Sequence, residues 1–188
     1  MRTSFVLACL TSFVWLSSAT CSIGHAAEGS AFTVGEGKLE LTAPANWTKK
    51  EPASRIVEVE FAVPPAKGDE APGRLTAMGA GGSVESNIDR WVGQFVGEGG
   101  GAAKPKRDKA TISGADIEVV DLSGTYKDSP GGPFAGGKTI NRDNYRMLGA
   151  IIQTKDRGNY FLKLYGPKAT IDENEKGFQD MVKSLKMK

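Results

Sequence analysis

The stretch Tyr145-Arg146-Met147-Leu148-Gly149-Ala150-Ile151-Ile152 decides the fold class. Successive side chains of a β-strand point to opposite faces of its sheet. One face of this stretch therefore carries Tyr145, Met147, Gly149 and Ile151, and the other carries Arg146, Leu148, Ala150 and Ile152. Because both faces are largely apolar, the pattern predicts a central strand that is covered on both sides.

The surrounding segments predict further strands that are joined mostly by hairpins. Asp156-Arg157-Gly158 is typical of a tight turn leading into a strand from Asn159 to Tyr165, and Ser113-Gly114 is typical of another turn. The remaining strands are predicted by alternating apolar residues at Phe32 to Val34, Lys38 to Leu41, Arg55 to Val63, Arg74 to Ala80, Lys109 to Ile112 and Ala115 to Tyr126.

Two amphipathic helices are predicted beside these strands. Ser83 is a candidate N-cap for the first, which should end at Gly97 to Gly101 and whose apolar stripe is Val84, Ile88, Trp91, Val92 and Phe95. Thr170-Ile171-Asp172-Glu173 is a candidate capping box for the second, whose buried face is Ile171, Phe178, Met181, Val182 and Leu185. The predicted fold class is α+β, a mainly antiparallel β-sheet flanked by helices.

The first 27 residues have the pattern of an export signal. Arg2 precedes an apolar run from Phe5 to Leu16, which is shorter than the roughly 20 residues that span a bilayer. Ala19, Ala26 and Ala27 are alternative cleavage points, and lipidation at Cys21 is a second possibility. We therefore expect a signal peptide at 1–27 and one globular domain at 28–188, in the periplasm or secreted, without a membrane span.

Composition excludes several classes of function. The formal net charge is +2, which gives no field that would attract nucleic acid. Cys9, Cys21 and His25 are the only thiols and the only imidazole, and all lie within the predicted signal. A mature chain without them has no Ser-His-Asp triad, no thiol nucleophile and no zinc site of the usual type. We expect no catalytic site, no metal and no cofactor, and a binding or accessory role with an unknown protein or small-molecule partner outside the cytoplasm.

The long segment from Lys127 to Asn144 is the strongest candidate contact region. It is predicted as a glycine-rich loop, and long loops in compact domains are often functional. The candidate ligand or partner contacts are Tyr126, Asp128, Phe134, Lys138 and Arg142. A weaker candidate is an anion site at the start of the first helix, formed by Gly81, Gly82 and Ser83.

The sequence leaves two catalytic alternatives open. Gly132 to Thr139 fits the phosphate-binding pattern G-x-x-x-x-G-K-[ST], in which Lys138 and Thr139 would contact nucleotide phosphate and Mg²⁺. Such a loop needs a helix directly after it, and Ile140 to Asn144 is a poor helix. Glu58 and Glu60 share a predicted strand face, so a carboxylate-based hydrolase acting on envelope glycans is the second alternative.

Two short motifs give the chain a recognisable resemblance. Leu41-Thr42-Ala43-Pro44-Ala45-Asn46-Trp47 resembles the strand-Pro-x-x-Trp opening of PsbP-like domains, and Phe178-Gln179-Asp180-Met181-Val182-Lys183-Ser184-Leu185 is similar to their closing helix. The chain also resembles uncharacterised exported bacterial proteins in Gly79 to Glu85 and Gly131 to Thr139. The resemblance implies an α/β/α sandwich used for binding, assembly or accessory roles, and it supplies no catalytic residues.

Overall fold

The computed structural model describes residues 29–129, 138–156 and 158–188. The strands are β1 (Ser30–Val34), β2 (Leu39–Ala43), β3 (Thr48–Lys50), β4 (Val59–Val63), β5 (Gly73–Ala80), β6 (Phe95–Val96), β7 (Lys106–Ile112), β8 (Ala115–Asp128), β9 (Ile140–Thr154), β10 (Gly158–Pro167) and β11 (Lys186–Met187). The helices are α1 (Val84–Gly93) and α2 (Lys168–Lys183), with a 3-10 turn at Glu98–Gly100. The predicted signal peptide and the turn residue Arg157 lie outside the described residues.

The described strands form two antiparallel sheets. The main sheet has eight strands in the order β3-β4-β5-β10-β9-β8-β6, with β7 also paired to β8. The small sheet has the order β1-β2-β11. The prediction of an α+β fold with a mainly antiparallel sheet is confirmed.

Strand β9 is central and covered on both faces, as the sequence predicts. Leu148, Ala150 and Ile152 lie on the face that packs against α2 and the small sheet, and we call this the α2 face. Met147 and Ile151 lie on the opposite face, which packs against α1 and which we call the α1 face. Helix α1, the main sheet, and the layer of α2 with the small sheet therefore make three layers.

The α2 face is closed by apolar side chains along its whole length. The buried residues that α2 and its C-terminal end contribute are Ile171, Phe178, Met181, Val182 and Leu185. Trp47 is also buried there, and its Nε1 donates a hydrogen bond to Asn174 Oδ1 at 3.0 Å. At the edge of this face Arg146 donates to Asp121, Asp172 and Glu175 over 2.7–3.0 Å, which ties α2 to two strands.

On the α1 face, a missing side chain allows close packing between helix and sheet. A Cβ atom at Gly149 would lie 2.4 Å from Cζ3 of Trp91, so any larger residue at this point of β9 would displace α1. Trp91 also makes an edge contact with Phe161, with ring centroids 6.0 Å apart. Trp91 is 4% exposed, which confirms that it belongs to the buried stripe of the first helix.

Several element boundaries differ from the sequence predictions. The strand predicted from Arg55 begins only at Val59, because the preceding residues form a turn that leaves Ile56 71% exposed. Helix α1 ends at Gly93 rather than at Gly97 to Gly101, and Phe95 reaches the core from β6. The predicted capping box is wrong: Thr170 lies inside α2, where Asp69 from the loop between β4 and β5 accepts hydrogen bonds from its N–H and its hydroxyl.

The largest correction concerns the predicted loop from Lys127 to Asn144. Strand β8 continues to Asp128 and β9 already begins at Ile140, so much of this segment is a two-stranded ribbon. Its side chains are mostly exposed, which hides the strand pattern because no face of the ribbon is buried. The glycine-rich residues 130–137 lie outside the described part of the chain.

A bulge at the base of the ribbon changes which side chains face α1. Gly124 pairs with Tyr145 and Tyr126 with Arg142, so β9 uses one more residue than β8 between these pairs. Asn144 has the left-handed backbone that such an insertion requires, with φ of 55°. The extra residue places Arg142 and Tyr145 on the same face as Tyr126.

No helix of the described residues is long and apolar enough to cross a membrane.

Candidate functional site

Part of the α1 face is not covered by the helix. Helix α1 packs over Phe161 and Ile151, whereas Lys163 and Tyr165 lie further along β10, past the C-terminal end of α1. Strand neighbours add Arg74 from β5, Tyr145 from β9 and Tyr126 from β8. We call these five residues the tyrosine face.

The three tyrosines form one connected aromatic cluster. Tyr126 lies at its centre, with ring centroids 6.0 Å from the parallel ring of Tyr145 and 5.1 Å from the tilted ring of Tyr165. Phe95 packs on Tyr126 at 5.2 Å and joins the cluster to the core under α1. Tyr126 is buried, and this burial raises the pKa of its phenol above the usual range. Tyr145 and Tyr165 are only half-buried and present ring surface to solvent.

Lys163 lies beneath this cluster with its ammonium enclosed. Its Nζ is 5.0 Å from the ring centroid of Tyr126 and 4.6 Å from that of Tyr165, which is the geometry of a cation–π contact. Nζ donates a hydrogen bond to Gln94 Oε1 at 2.5 Å. Burial, together with the positive charges of Arg74 and Arg90, lowers the pKa of Lys163 to about 7. This buried lysine therefore changes its charge near neutral pH.

Arg74 forms the other end of the tyrosine face. It donates to both carboxylate oxygens of Glu60, at 2.8 and 2.7 Å, and its Nη1 donates to the Tyr165 hydroxyl at 2.8 Å. The hydrogen bonds from Arg74 lower the pKa of Glu60. This pair fixes Tyr165 in place and neutralises the Arg74 charge.

The structure brings three of the sequence-predicted contact residues together. Tyr126, Asp128 and Arg142 lie on the same side at the base of the ribbon, where Arg142 Nη2 and Asp128 Oδ2 form an ion pair at 3.2 Å. Lys138 is exposed further along the ribbon. Phe134 lies outside the described residues. Tyr126 differs from the prediction in being buried, so Tyr145 and Tyr165 present the accessible aromatic surface.

Hydrogen bonds within the chain use one of the backbone N–H groups at the predicted anion site at the start of α1. Ser83 is the N-cap, as predicted, and its Oγ accepts from the Ser86 N–H at 3.1 Å. The Asn87 side chain donates to the carbonyl oxygens of Gly81 and Ser83. Gly82 has a φ of +90°, which explains the glycine at this turn.

Comparison with solved structures identifies the fold. The chain superposes on cyanobacterial PsbP (CyanoP) from Synechocystis sp. PCC 6803 with a TM-score of 0.53 and 12% identity, over 90% of this chain and 98% of that one. The fold is PsbP-like.

Two further matches are weaker. A protein of unknown function from Pseudomonas aeruginosa has a TM-score of 0.47 and 13% identity, over 86% of this chain and 98% of that one. The Ran-binding protein Mog1p from Saccharomyces cerevisiae has a TM-score of 0.47 and 10% identity, over 85% and 95%. No protein-family model and no curated protein matches the chain.

A shallow cleft adjoins the tyrosine face in this PsbP-like fold. Its volume is about 350 Å³, and it is open to solvent rather than enclosed. Tyr145, Asn144 and Lys168 contribute to its walls, and the rest is mostly backbone of β6, β8 and the glycine-rich turn after β6. Tyr145 belongs to both the cleft and the tyrosine face, so the two form one continuous surface.

The structure that follows the motif argues against the nucleotide alternative, and residues 132–137 of the motif itself lie outside the described residues. Thr139 is followed directly by strand β9, whereas a phosphate-binding loop needs a helix whose N-terminal N–H groups contact the phosphates. The PsbP-like sheet is antiparallel around this point, and β8 and β9 are hairpin partners.

The partners of Glu58 and Glu60 also argue against the carboxylate-based hydrolase. Glu58 accepts hydrogen bonds from the backbone N–H groups of Gly35 and Gly79, at 2.6 and 2.9 Å. Glu60 is held by Arg74, and its lowered pKa is opposite to what a general acid requires. Among the described residues no group of three or more potential metal ligands is found.

Sequence reasoning missed Lys163, Tyr165 and Arg74. Lys163 interrupts an otherwise apolar strand, Phe161 to Tyr165, and this interruption was the available signal. Arg74 is far from Tyr165 in sequence, and only the pairing of β5 with β10 brings the two residues together. The sequence therefore predicts only the part of this surface that lies at the base of the ribbon, namely Tyr126, Asp128 and Arg142.

Proposed function

We propose that this chain is an exported, non-catalytic binding or accessory domain whose contact surface is the tyrosine face and the base of the ribbon. The observation that carries this proposal is the uncovered end of the α1 face. Tyr145 and Tyr165 are half-buried there, and Tyr165 contacts the buried cation of Lys163, whereas α1, α2 and the small sheet cover the apolar side chains at the centre of the main sheet.

The chemistry of this surface fits recognition by contact. Tyrosine is enriched at protein interfaces because its ring is apolar and rigid while its hydroxyl still forms hydrogen bonds. The Arg142–Asp128 pair is exposed at the rim, where charged pairs contribute orientation and specificity more than affinity. The adjoining cleft is open, whereas pockets for small ligands usually enclose most of the ligand surface. A protein partner therefore fits this surface better than an enclosed small molecule.

Site-specific photo-crosslinking in the native envelope fraction tests the proposal. A benzophenone amino acid replaces Tyr145 in one variant and Gln179 in the other, because Gln179 is exposed on the solvent side of α2. We expect a discrete adduct from position 145 and none of that mass from position 179. Equal adducts from both positions, or none from position 145, would contradict the proposed surface.

Export is tested separately. We expect N-terminal sequencing of the mature protein to begin after Ala19, Ala26 or Ala27, and the protein to be recovered from the extracytoplasmic fraction. Recovery of an uncleaved chain from the cytoplasm would show that this part of the proposal is wrong and would leave the contact surface untouched.

A further inference from the structure

The ammonium of Lys163 has an unusual set of neighbours. A protonated lysine has three N–H donors, and the single oxygen acceptor found for Nζ is Gln94 Oε1. The other close groups are the faces of Tyr126 and Tyr165. No carboxylate within the described residues forms an ion pair with Lys163. Buried cations are usually paired because an isolated charge is costly away from water.

The charges around Lys163 leave this region positive. The charged groups that act on it are Arg74 from β5, Arg90 from α1 and Asp128 from β8. Arg74 is neutralised by Glu60, and Asp128 is paired with Arg142. Arg90 contacts the uncharged Asn87, and Lys127 nearby donates to the backbone oxygen of Gly93 at 3.0 Å. The carboxylates of Glu60 and Asp128 thus form ion pairs with arginines, and no carboxylate among the described residues pairs with Lys163.

We propose that the tyrosine face binds a carboxylate on an aromatic or apolar body, with the carboxylate on Lys163 Nζ and the body against Tyr145 and Tyr165. The inference deepens the proposed function and rests on it, since it names the chemistry of the partner group at the same surface. Gln94 and Tyr165, which both contact the ammonium, are only half-buried, and the proposal requires that rotation of these side chains opens a path to Nζ.

The geometry favours a carboxylate over a phosphate group. A phosphate dianion is usually held by a free guanidinium fork, and the fork of Arg74 is already filled by both oxygens of Glu60. Among the five residues of the tyrosine face, the remaining donors are one ammonium and the tyrosine hydroxyls, which match one negative charge. Burial and the neighbouring arginines hold the pKa of Lys163 near 7, so a bound carboxylate would favour the charged lysine.

Titration of the mature protein with benzoate tests the inference, with benzamide as the neutral probe of the same shape. The signals to follow by NMR are the side-chain amide of Gln94 and the rings of Tyr145 and Tyr165. We expect benzoate to shift them with a dissociation constant in the millimolar range, and benzamide to bind at least about tenfold more weakly. Equal binding of the two probes, or no shift with benzoate, would overturn the inference.

A charge-removing variant gives the second arm of the test. Lys163→Met keeps the length of the side chain, and replacing a buried charge by an apolar group is often neutral for folding. We expect it to weaken benzoate binding about tenfold or more, while Lys155→Met, on the exposed turn at the other end of β9, binds as the unchanged protein does. Full benzoate affinity in folded Lys163→Met would overturn the inference.

The pH profile of the unchanged protein provides a readout that does not depend on a variant. Arginine and aspartate side chains ordinarily keep their charge between about pH 6 and 9, so Lys163 is the group of this cluster that titrates there. We expect benzoate affinity to be constant below pH 7 and to fall toward tenfold per pH unit above it. A flat profile would overturn the inference, whereas a photo-crosslink at position 145 would still support the proposed function.

Discussion

The two faces of the main sheet are built from the same strands but differ in how they are covered. On the α2 face, helix α2 and the small sheet bury apolar side chains along the whole length, and Arg146 ties the layers together with hydrogen bonds to three carboxylates. On the α1 face, a ten-residue helix covers one end, and the other end carries tyrosines around a buried lysine. The α2 face is thus covered along the sheet, whereas the α1 face is covered only under its helix, and the contact surface that we propose lies on the uncovered part.

The largest difference is expected between Phe178→Ala and Tyr145→Ala. Phe178 is 1% exposed within the α2 face, so its truncation leaves a cavity and should lower the free energy of unfolding by about 3–5 kcal/mol. Tyr145 is half-buried on the tyrosine face, so Tyr145→Ala should cost about 1 kcal/mol. Urea denaturation measures both values. Equal losses would show that the tyrosine face is as important for stability as the α2 face.

Gly149→Ala tests the packing of α1 on the sheet. The added methyl group would meet the Trp91 ring at 2.4 Å, which should cost about 1–3 kcal/mol of unfolding free energy and loosen α1. Gly93→Ala is the matched control, because a Cβ there has open space and the change should stay within about 0.5 kcal/mol. If both variants are equally stable, α1 does not pack as closely as described.

Lys163 should make stability depend on pH. Its pKa is about 7 in the folded chain and about 10.4 when unfolded, so between these values the unfolded chain binds a proton that the folded chain has released. Above about pH 7 the unfolding free energy should therefore rise by roughly 1 kcal/mol per pH unit. Below pH 7 Lys163 is protonated in both the folded and the unfolded chain, so it should add no pH dependence to the unfolding free energy. Denaturation at several pH values should show that Lys163→Met loses this slope and Lys155→Met keeps it. A slope that survives in Lys163→Met would contradict the burial described here.

The smallest expected effect is that of nucleotide, which we expect not to stabilise the protein. Lys138 precedes a strand and is exposed, so Mg²⁺-ATP should not raise the melting temperature of the unchanged protein or of Lys138→Ala. Differential scanning fluorimetry is sufficient for this measurement. A saturable stabilisation that depends on Lys138 would restore the nucleotide alternative and place the function on the ribbon.

The sequence predicts the buried layers well and the open surface poorly, for a physical reason. Apolar periodicity reveals side chains that share a buried face, and it correctly places Met147 and Ile151 opposite Leu148 and Ala150. The ribbon formed by Lys127 and Asp128 with Ile140 and Asn141 has mostly exposed side chains, so backbone pairing rather than a buried face defines it, and the sequence pattern there predicts a loop.

The candidate site depends on pairing between distant segments. Tyr126, Asp128 and Arg142 are predicted from their nearness in sequence to the glycine-rich segment. Arg74 and Lys163 come together only because β5 lies beside β10, and the bulge at Asn144 places Arg142 on the face that Tyr145 shares with Met147. Strand order and a bulge are tertiary properties, which periodicity within one segment does not encode.

The measurement that tests the central claim most directly compares stability and contact in the same two variants. Tyr165→Ala changes the tyrosine face and Val182→Ala changes the α2 face, each in a chain that carries the photo-crosslinker at position 145. We predict that Tyr165→Ala loses the adduct with the smaller loss of unfolding free energy, and that Val182→Ala, still folded at the working temperature, keeps the adduct despite the larger loss. If the variant with the larger loss of unfolding free energy also has the larger loss of adduct, the result would contradict a division of roles between the two faces.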